Sequence, residues 1–243
     1  MDKKTALYYI DKWANYYLRI LGEADDLELL EHALYTVLQP KDGAWASVFD
    51  VRLAHLSDAA LQNAVNEIKA LHCHVWWNQD SDRVNAVVFP EGRREPTPED
   101  DEVFAVMTAA ELPAYPVAAI PVKRAETLAD CQTFHSLCFD KTLTAENLYR
   151  LAQKDALCCY IGYANEIPVS AAALLKNGEV YSLELASTPQ ALRGNGFALA
   201  VCQAAIRDAF REGAEVVTIR AGGGPAADDA SKALGKKLGF QYI

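Results

Sequence analysis

Apolar and polar positions along the chain change period several times, and each change marks an element. Leu7, Ile10, Ala14, Tyr17, Leu18 and Leu21 fall on one side of a helix over Lys3–Leu21, and Ala59–Leu71 reads as a second helix. His72-Cys73-His74-Val75-Trp76-Trp77 reads as a buried strand, and the charged, proline-bearing run Glu91–Asp101 as an exposed loop. Beyond residue 112 the pattern becomes regular. Ala118–Val122 suits a strand, and Thr127–Cys138 and Thr144–Gln153 suit two helices. Ala156–Gly162, Pro168–Leu175 and Glu179–Ala186 read as three strands joined by turns at Asn165-Glu166 and Asn177-Gly178. Asn-Gly between apolar runs is a strong hairpin signal. A long helix follows through Leu199, Ala200, Val201, Cys202, Ala204, Ala205, Ile206, Ala209 and Phe210, closed by Gly213. Glu215–Ala221 is then a buried strand, and a last helix starts near Asp228-Asp229 after the Gly222–Pro225 turn and stops at Gly239.

The most informative segment is the entry into the long helix, Leu192-Arg193-Gly194-Asn195-Gly196-Phe197-Ala198. Gly194 and Gly196 carry no Cβ, so a ligand can approach the backbone there. A helix start offers unpaired N–H groups and the positive end of the macrodipole, both suited to phosphate. Arg193 adds a permanent cation. A P-loop requires Gly-Lys-Ser/Thr, which the chain lacks. A dinucleotide fingerprint requires a third glycine or alanine where Leu199 stands. What remains is R-x-x-G-x-A, read as Arg193, Gly196 and Ala198.

That motif resembles the acetyl-CoA signature of the GNAT N-acetyltransferase superfamily. Leu238-Gly239-Phe240 resembles the sequence that closes the last helix in many of its members. The order strand, two helices, three-strand meander, helix, strand, helix over residues 115–243 is similar to the superfamily's arrangement. The resemblance implies an α/β fold of the α+β type with a mixed sheet, and acetyl-CoA (CoA) as cofactor. The pyrophosphate would lie on Arg193, Gly194, Asn195, Gly196, Phe197 and Ala198. The pantetheine arm would pair with the exposed backbone of Ala186, Ser187 and Thr188, where two neighbouring strands splay apart. The implied chemistry is direct acyl transfer, with an amine attacking the thioester carbonyl. Glu184 is the only carboxylate in its strand and shares a face with Ser182; it is the candidate base, directly or through water.

Two departures follow from the same resemblance. Many members carry a tyrosine acid in the last helix, where this chain has Gly235, and an asparagine about seven residues earlier, where it has Asp228. The chain also ends three residues past Phe240, where the family continues into a seventh strand; either that strand is absent or another segment fills its place. Two function classes therefore stay open. One is an N-acetyltransferase acting on a small-molecule or peptide amine; the other is a binding-only acyl-CoA sensor or scaffold. The acceptor pocket would draw on Phe139–Thr144 and the N-terminal half.

Length suits two small domains or one large one, with 243 residues of which 51% are apolar. The boundary falls near 109–113, giving an accessory domain over 1–112 and the transferase domain over 113–243. The first half resembles the smaller degenerate α/β domain that precedes some members of the superfamily, with a "WW" strand and a terminal strand containing Met107. The aromatic stripe Tyr8, Tyr9, Trp13, Tyr16 and Tyr17 suits an interdomain or homodimer surface. A net charge of −10 disfavours nucleic acid, and an anionic cofactor must be captured locally against the overall field. No run approaches ~20 uninterrupted apolar residues, so no membrane span is expected. The start of the chain does not read as a signal peptide. Six cysteines without framework spacing read as buried hydrophobes in a reducing, cytoplasmic setting. In a strand His72 and His74 point away from Cys73, with no second ligand pair at zinc spacing, so no metal is expected.

Overall fold

In the computed structural model, which describes residues 3–71, 73–77, 81–91, 102–115, 120–222 and 228–242, Lys3–Leu21 forms helix α1 over the residues its apolar spacing predicts. Ile10, Ala14 and Leu18 are buried along it. The strands that follow, β1 (Leu27–Glu31), β2 (Thr36–Pro40) and β3 (Ser47–Phe49), are antiparallel neighbours. They are short and do not alternate cleanly, so the sequence pattern misses them. Helix α2 (Asp58–Lys69) crosses over to β4 (His74–Val75), which lies parallel to β3. Ser57 caps α2 and Ser81 caps α3 (Asp82–Val88), each accepting from a backbone N–H of the first turn. Val48, Leu53, Leu61, Val65, Ile68, Val84 and Val88 form the core between these elements.

Two sequence expectations need correction in this unit. The segment through Trp77 is not a buried strand: only His74–Val75 pairs, His74 is exposed, and Trp76 and Trp77 are half-buried. His72 lies outside the described residues. The aromatic stripe of α1 is not one surface either. Trp13 is 3% exposed, stacks on Tyr17 and meets Trp76 edge-on. It is a core residue, and only Tyr8 of the stripe is exposed.

The chain divides into the units Met1–Glu95 and Pro96–Ile243, so Glu102–Thr108 falls in the second unit rather than before a boundary at 112. That segment is strand β5. It is followed by β6 (Val122–Arg124), α4 (Leu128–Leu137), α5 (Ala145–Gln153), β7 (Leu157–Ala164), β8 (Ile167–Asn177) and β9 (Val180–Ser187). Then come α6 (Phe197–Arg211), β10 (Val216–Gly222), α7 (Asp228–Leu238) and β11 (Gln241–Tyr242). The sheet order is β11-β5-β10-β9-β8-β7-β6. β9 and β10 are parallel, joined over α6, and the remaining pairings are antiparallel. The order helix, antiparallel meander, helix, parallel strand, helix therefore occurs once in each unit.

Both meander turns have two residues, as the sequence predicts, but the second is shifted. Asn165 and Glu166 both take positive φ, whereas the β8–β9 turn is Gly178-Glu179, with Gly178 at φ +58°. A further strand of the sheet comes from upstream of the meander. β5 runs antiparallel to β10 from Val216↔Thr108 to Gly222↔Glu102, and β11 pairs with its other edge. Met107, fully buried, locks β5 into the core with Val217 and Leu238. Met107→Ala should therefore cost about 2–5 kcal/mol. In denaturant titration the midpoint should fall with the slope unchanged; an unaltered midpoint would mean that β5 is not part of the folded sheet.

Alternation along the strands sets the two faces. Tyr160, Leu174, Tyr181 and Leu183 pack with Val201, Cys202 and Ile206 of α6. Cys159 faces the other way, beside Cys131 of α4. At Gly162, opposite a bulge in β8, a Cβ would come within 2.6 Å of Val201 Cγ2 and 2.7 Å of Ile120 Cδ1. Glycine thus lets α6 settle onto the sheet. None of the six cysteines is in a disulfide; four are buried, and Cys73 and Cys158 are half-buried. Among the described residues no helix is long and apolar enough to cross a membrane.

Candidate cofactor and catalytic site

The site begins where two parallel strands part. β9 and β10 pair only from Val180↔Val216 to Leu183↔Ile219. Beyond that point β10 continues against β5 through Gly222, while β9 continues against β8 through Ser187. The edge of β9 from Glu184 to Ser187 that faces away from β8 therefore has no strand partner among the described residues. A bulge accentuates the divergence: Ala173 pairs with Glu184 and Ala171 with Ser187, leaving one extra residue on β9. Leu185 takes φ +52° there, a conformation costing a non-glycine residue on the order of 1–3 kcal/mol. Bulges of this kind concentrate beside active sites, where they re-aim side chains. Leucine carries no signal for positive φ, and the sequence did not reveal it.

Beyond the bulge, hydroxyl groups secure the strand end. Ser187 Oγ donates to the carbonyl of Leu137 at 2.7 Å, tying β9 to the end of α4. Ser170 Oγ, on β8, donates to the carbonyl of Ser187 at 2.9 Å and lies 2.8 Å from Thr188 Oγ1. Ser170 was also missed, although a lone hydroxyl within the apolar run Pro168–Leu175 was a usable signal. Arg193 Nε then donates to the carbonyl of Thr188 at 3.2 Å, and Asn195 Nδ2 to that of Leu192 at 3.1 Å. These bonds order the exposed loop. The terminal nitrogens of Arg193 have no protein partner among the described residues.

Gly194 and Gly196 take φ +83° and +77°. A Cβ at either would meet nothing within 4 Å. Glycine is required here by backbone conformation, and the space above it is open. Gly196 is the N-cap of α6; its carbonyl accepts from Ala200 N at 3.0 Å, and no side chain caps the helix. The N–H groups of the first turn, from Phe197, Ala198 and Leu199, are thus directed outward with the positive end of the dipole. Helix α2 shows the contrast. Its start holds the Ser57 cap and Asp58, and Arg83 bridges Asp58 and the carbonyls of Ala54 and Leu56. That helix start is already capped by a protein side chain, the Ser57 hydroxyl.

Glu184 is 9% exposed, and Ser182 Oγ donates to its Oε1. Ser182 also lies 3.5 Å from the carbonyl of Thr218 on β10. Both carboxylate and hydroxyl point away from the face of Tyr181 and Leu183, which packs on α6. Glu184 therefore stands where β9 and β10 begin to separate. Gly235 is buried in α7, its carbonyl accepting from Phe240 N at 3.1 Å, and contributes no hydroxyl. Two other tyrosines are engaged elsewhere. Tyr115 donates to the carbonyl of Leu238, and burial pushes its hydroxyl up to about 12. Tyr181 lies at the paired end of β9, with the Lys176 ammonium 5.9 Å from its ring. The side chains of Asp228 and Tyr242 fall outside the described residues. His135 is half-buried, and burial holds its imidazole below the ordinary histidine range. Among the described residues no three histidine, cysteine, aspartate or glutamate side chains converge as metal ligands would.

No protein-family model and no curated protein matches the sequence. Solved structures share the fold. The GCN5-related N-acetyltransferase from Kribbella flavida superposes with a TM-score of 0.60 at 13% identity, covering 95% of this chain and 91% of its own. An acetyltransferase from the GNAT family of Colwellia psychrerythraea gives 0.59 at 13%, covering 87% and 79%. The GCN5-related N-acetyltransferase from Sphaerobacter thermophilus gives 0.53 at 14%, covering 100% and 91%.

Proposed function

From a chain whose mixed α/β fold is that of the GCN5-related N-acetyltransferases, we propose that it is an acetyl-CoA-dependent N-acetyltransferase that acts on a small-molecule or peptide amine by direct transfer. One observation carries the reading: an unpaired strand edge, Glu184–Ser187, runs toward the uncapped, glycine-flanked start of α6. A pantetheine arm would add to that edge as a strand does. The pyrophosphate would meet the N–H groups of Phe197 and Ala198 and the guanidinium of Arg193. Acetyl-CoA would supply the acyl thioester. Glu184 would take the proton lost by the amine nitrogen, directly or through water, held in place by the Ser182 hydroxyl. The departing thiolate would take its proton from solvent, since Gly235 offers none. The first unit repeats the order of elements, but its helix start is capped by the Ser57 side chain, which favours reading it as a degenerate copy with one cofactor site per chain.

A second reading, a binding-only acyl-CoA protein, is favoured by the buried glycine at position 235. Thioester cleavage with a panel of amines separates the two: turnover with any amine excludes the second reading. Binding itself is tested by melting. CoA at about 100 times its Kd should stabilise the folded protein by ~2.7 kcal/mol, a rise of roughly 5–10 °C. Arg193→Ala should weaken binding by roughly 1.5 kcal/mol, a little over tenfold. No shift at millimolar CoA would remove the cofactor from the proposal.

A further inference from the structure

The second half of α6 carries a feature that the cofactor site does not use. Ala204, Arg207, Asp208 and Arg211 lie on one face of the helix at spacings of three and four. With Arg124 of the edge strand β6 and Tyr160 of β7 they line a groove of about 270 Å³. Three guanidiniums and one carboxylate line it, in a chain of net charge −10. Ala204 is half-buried, and its small side chain leaves the space open.

Existing bonds define what the groove lacks. Arg124 Nε and Nη2 both donate to Tyr160 Oη, at 3.1 and 2.9 Å. Guanidinium nitrogens only donate, so the Tyr160 oxygen accepts twice and its own proton must go elsewhere. Tyr160 is 2% exposed, and among the described residues no acceptor lies within hydrogen-bonding distance of that proton. Arg124 also pairs with Glu212, which Lys176 approaches at 2.8 Å. Burial alone would raise the Glu212 carboxyl, but Lys176 and Arg124 hold it below the ordinary range. Asp208 is clasped by Arg211 Nη1 at 2.7 Å and lies 3.7 Å from Arg124 Nε. The carboxylates at the groove are thus engaged by cations, and none accepts from Tyr160. Arg207 lies with its guanidinium 5.7 Å from the centre of the Tyr115 ring.

We propose that this groove is a second binding site, for a small anion bearing carboxylate or phosphate oxygens, which accepts the Tyr160 hydroxyl proton between the guanidiniums of Arg207 and Arg211. It is separate from the cofactor cradle: ten residues of helix, about 15 Å at 1.5 Å per residue, divide Phe197 from Arg207. An oxyanion fits for two reasons. A buried hydroxyl without an acceptor is costly, and planar guanidiniums match carboxylate and phosphate oxygens in pairs. The volume suits a compact metabolite.

The test is calorimetry with succinate and, separately, inorganic phosphate, on the full chain with and without saturating CoA. The parent should bind one equivalent of at least one of them, equally well in both states, and the stronger of the two identifies the oxyanion. Tyr160→Phe should weaken that binding on the order of tenfold, the worth of one charge-assisted bond. Ala204→Leu, which fills the groove from a half-exposed position, should abolish it while melting behaviour and CoA binding stay unchanged. Absence of saturable binding by both anions overturns the proposal. So does binding that survives in Ala204→Leu or disappears when CoA is present, since the anion would then occupy the start of α6. The CoA titration by itself reports on the cofactor reading, so the two fail separately.

Discussion

Glu184→Gln is expected to slow acetyl transfer at neutral pH by ~10²–10⁴-fold, the usual worth of positioned proton transfer, with CoA affinity nearly unchanged. Glutamine keeps the size of the side chain and an oxygen that can accept from Ser182 Oγ, so packing beside the strand opening is preserved. What it loses is the ability to accept a proton from the amine. No alkaline limb should arise from the last helix, because the residue at its acid position is Gly235. The decisive measurement is the pH–rate profile of both proteins with one accepted amine. An unchanged rate in the variant would take Glu184 out of the mechanism and leave deprotonation of the acceptor to solvent.

Gly196→Val is expected to abolish CoA binding, with the fold otherwise retained. Two effects coincide at this position. Gly196 holds φ +77°, which a β-branched residue strongly resists. Its Cβ position is open, with no protein atom within 4 Å, so a side chain would project into the space left for the ligand. Asparagine separates the two causes, since it enters the left-handed region far more readily than valine. If close approach of the pyrophosphate is what matters, Gly196→Asn should also bind poorly while melting near the parent temperature. If valine leaves CoA affinity intact, the phosphate lies elsewhere. Retention by asparagine with loss by valine would make the requirement conformational.

The second unit's core was largely legible in the sequence. The three meander strands, the helices α4–α7 and the entry to α6 are local patterns: period-two or period-3.6 apolar spacing, glycine punctuation and Asn-containing turns act over a few residues. The proposed phosphate-binding residues lie within one contiguous stretch, Arg193–Ala198, so their proximity needs no tertiary information. The short strands β1–β3 were not legible, because three to five residues without clear alternation carry no period.

Other features were decided by tertiary pairing alone. β5 is separated from β10 by more than a hundred residues, and only sheet formation shows that it lies between β10 and β11. Met107 reads equally well as the end of the first domain until Val217 and Leu238 are seen beside it. The bulge at Leu185 arises because β9 must follow β8 after leaving β10, and no intrinsic preference of leucine announces that. The bond between Ser182 and Glu184 depends on how two side chains on one strand face turn toward each other at the opening. The Tyr160–Arg124 groove likewise joins an edge strand, an interior strand and a helix some forty residues further on. Sequence spacing specifies which residues share a face, whereas only the assembled sheet determines what that face meets.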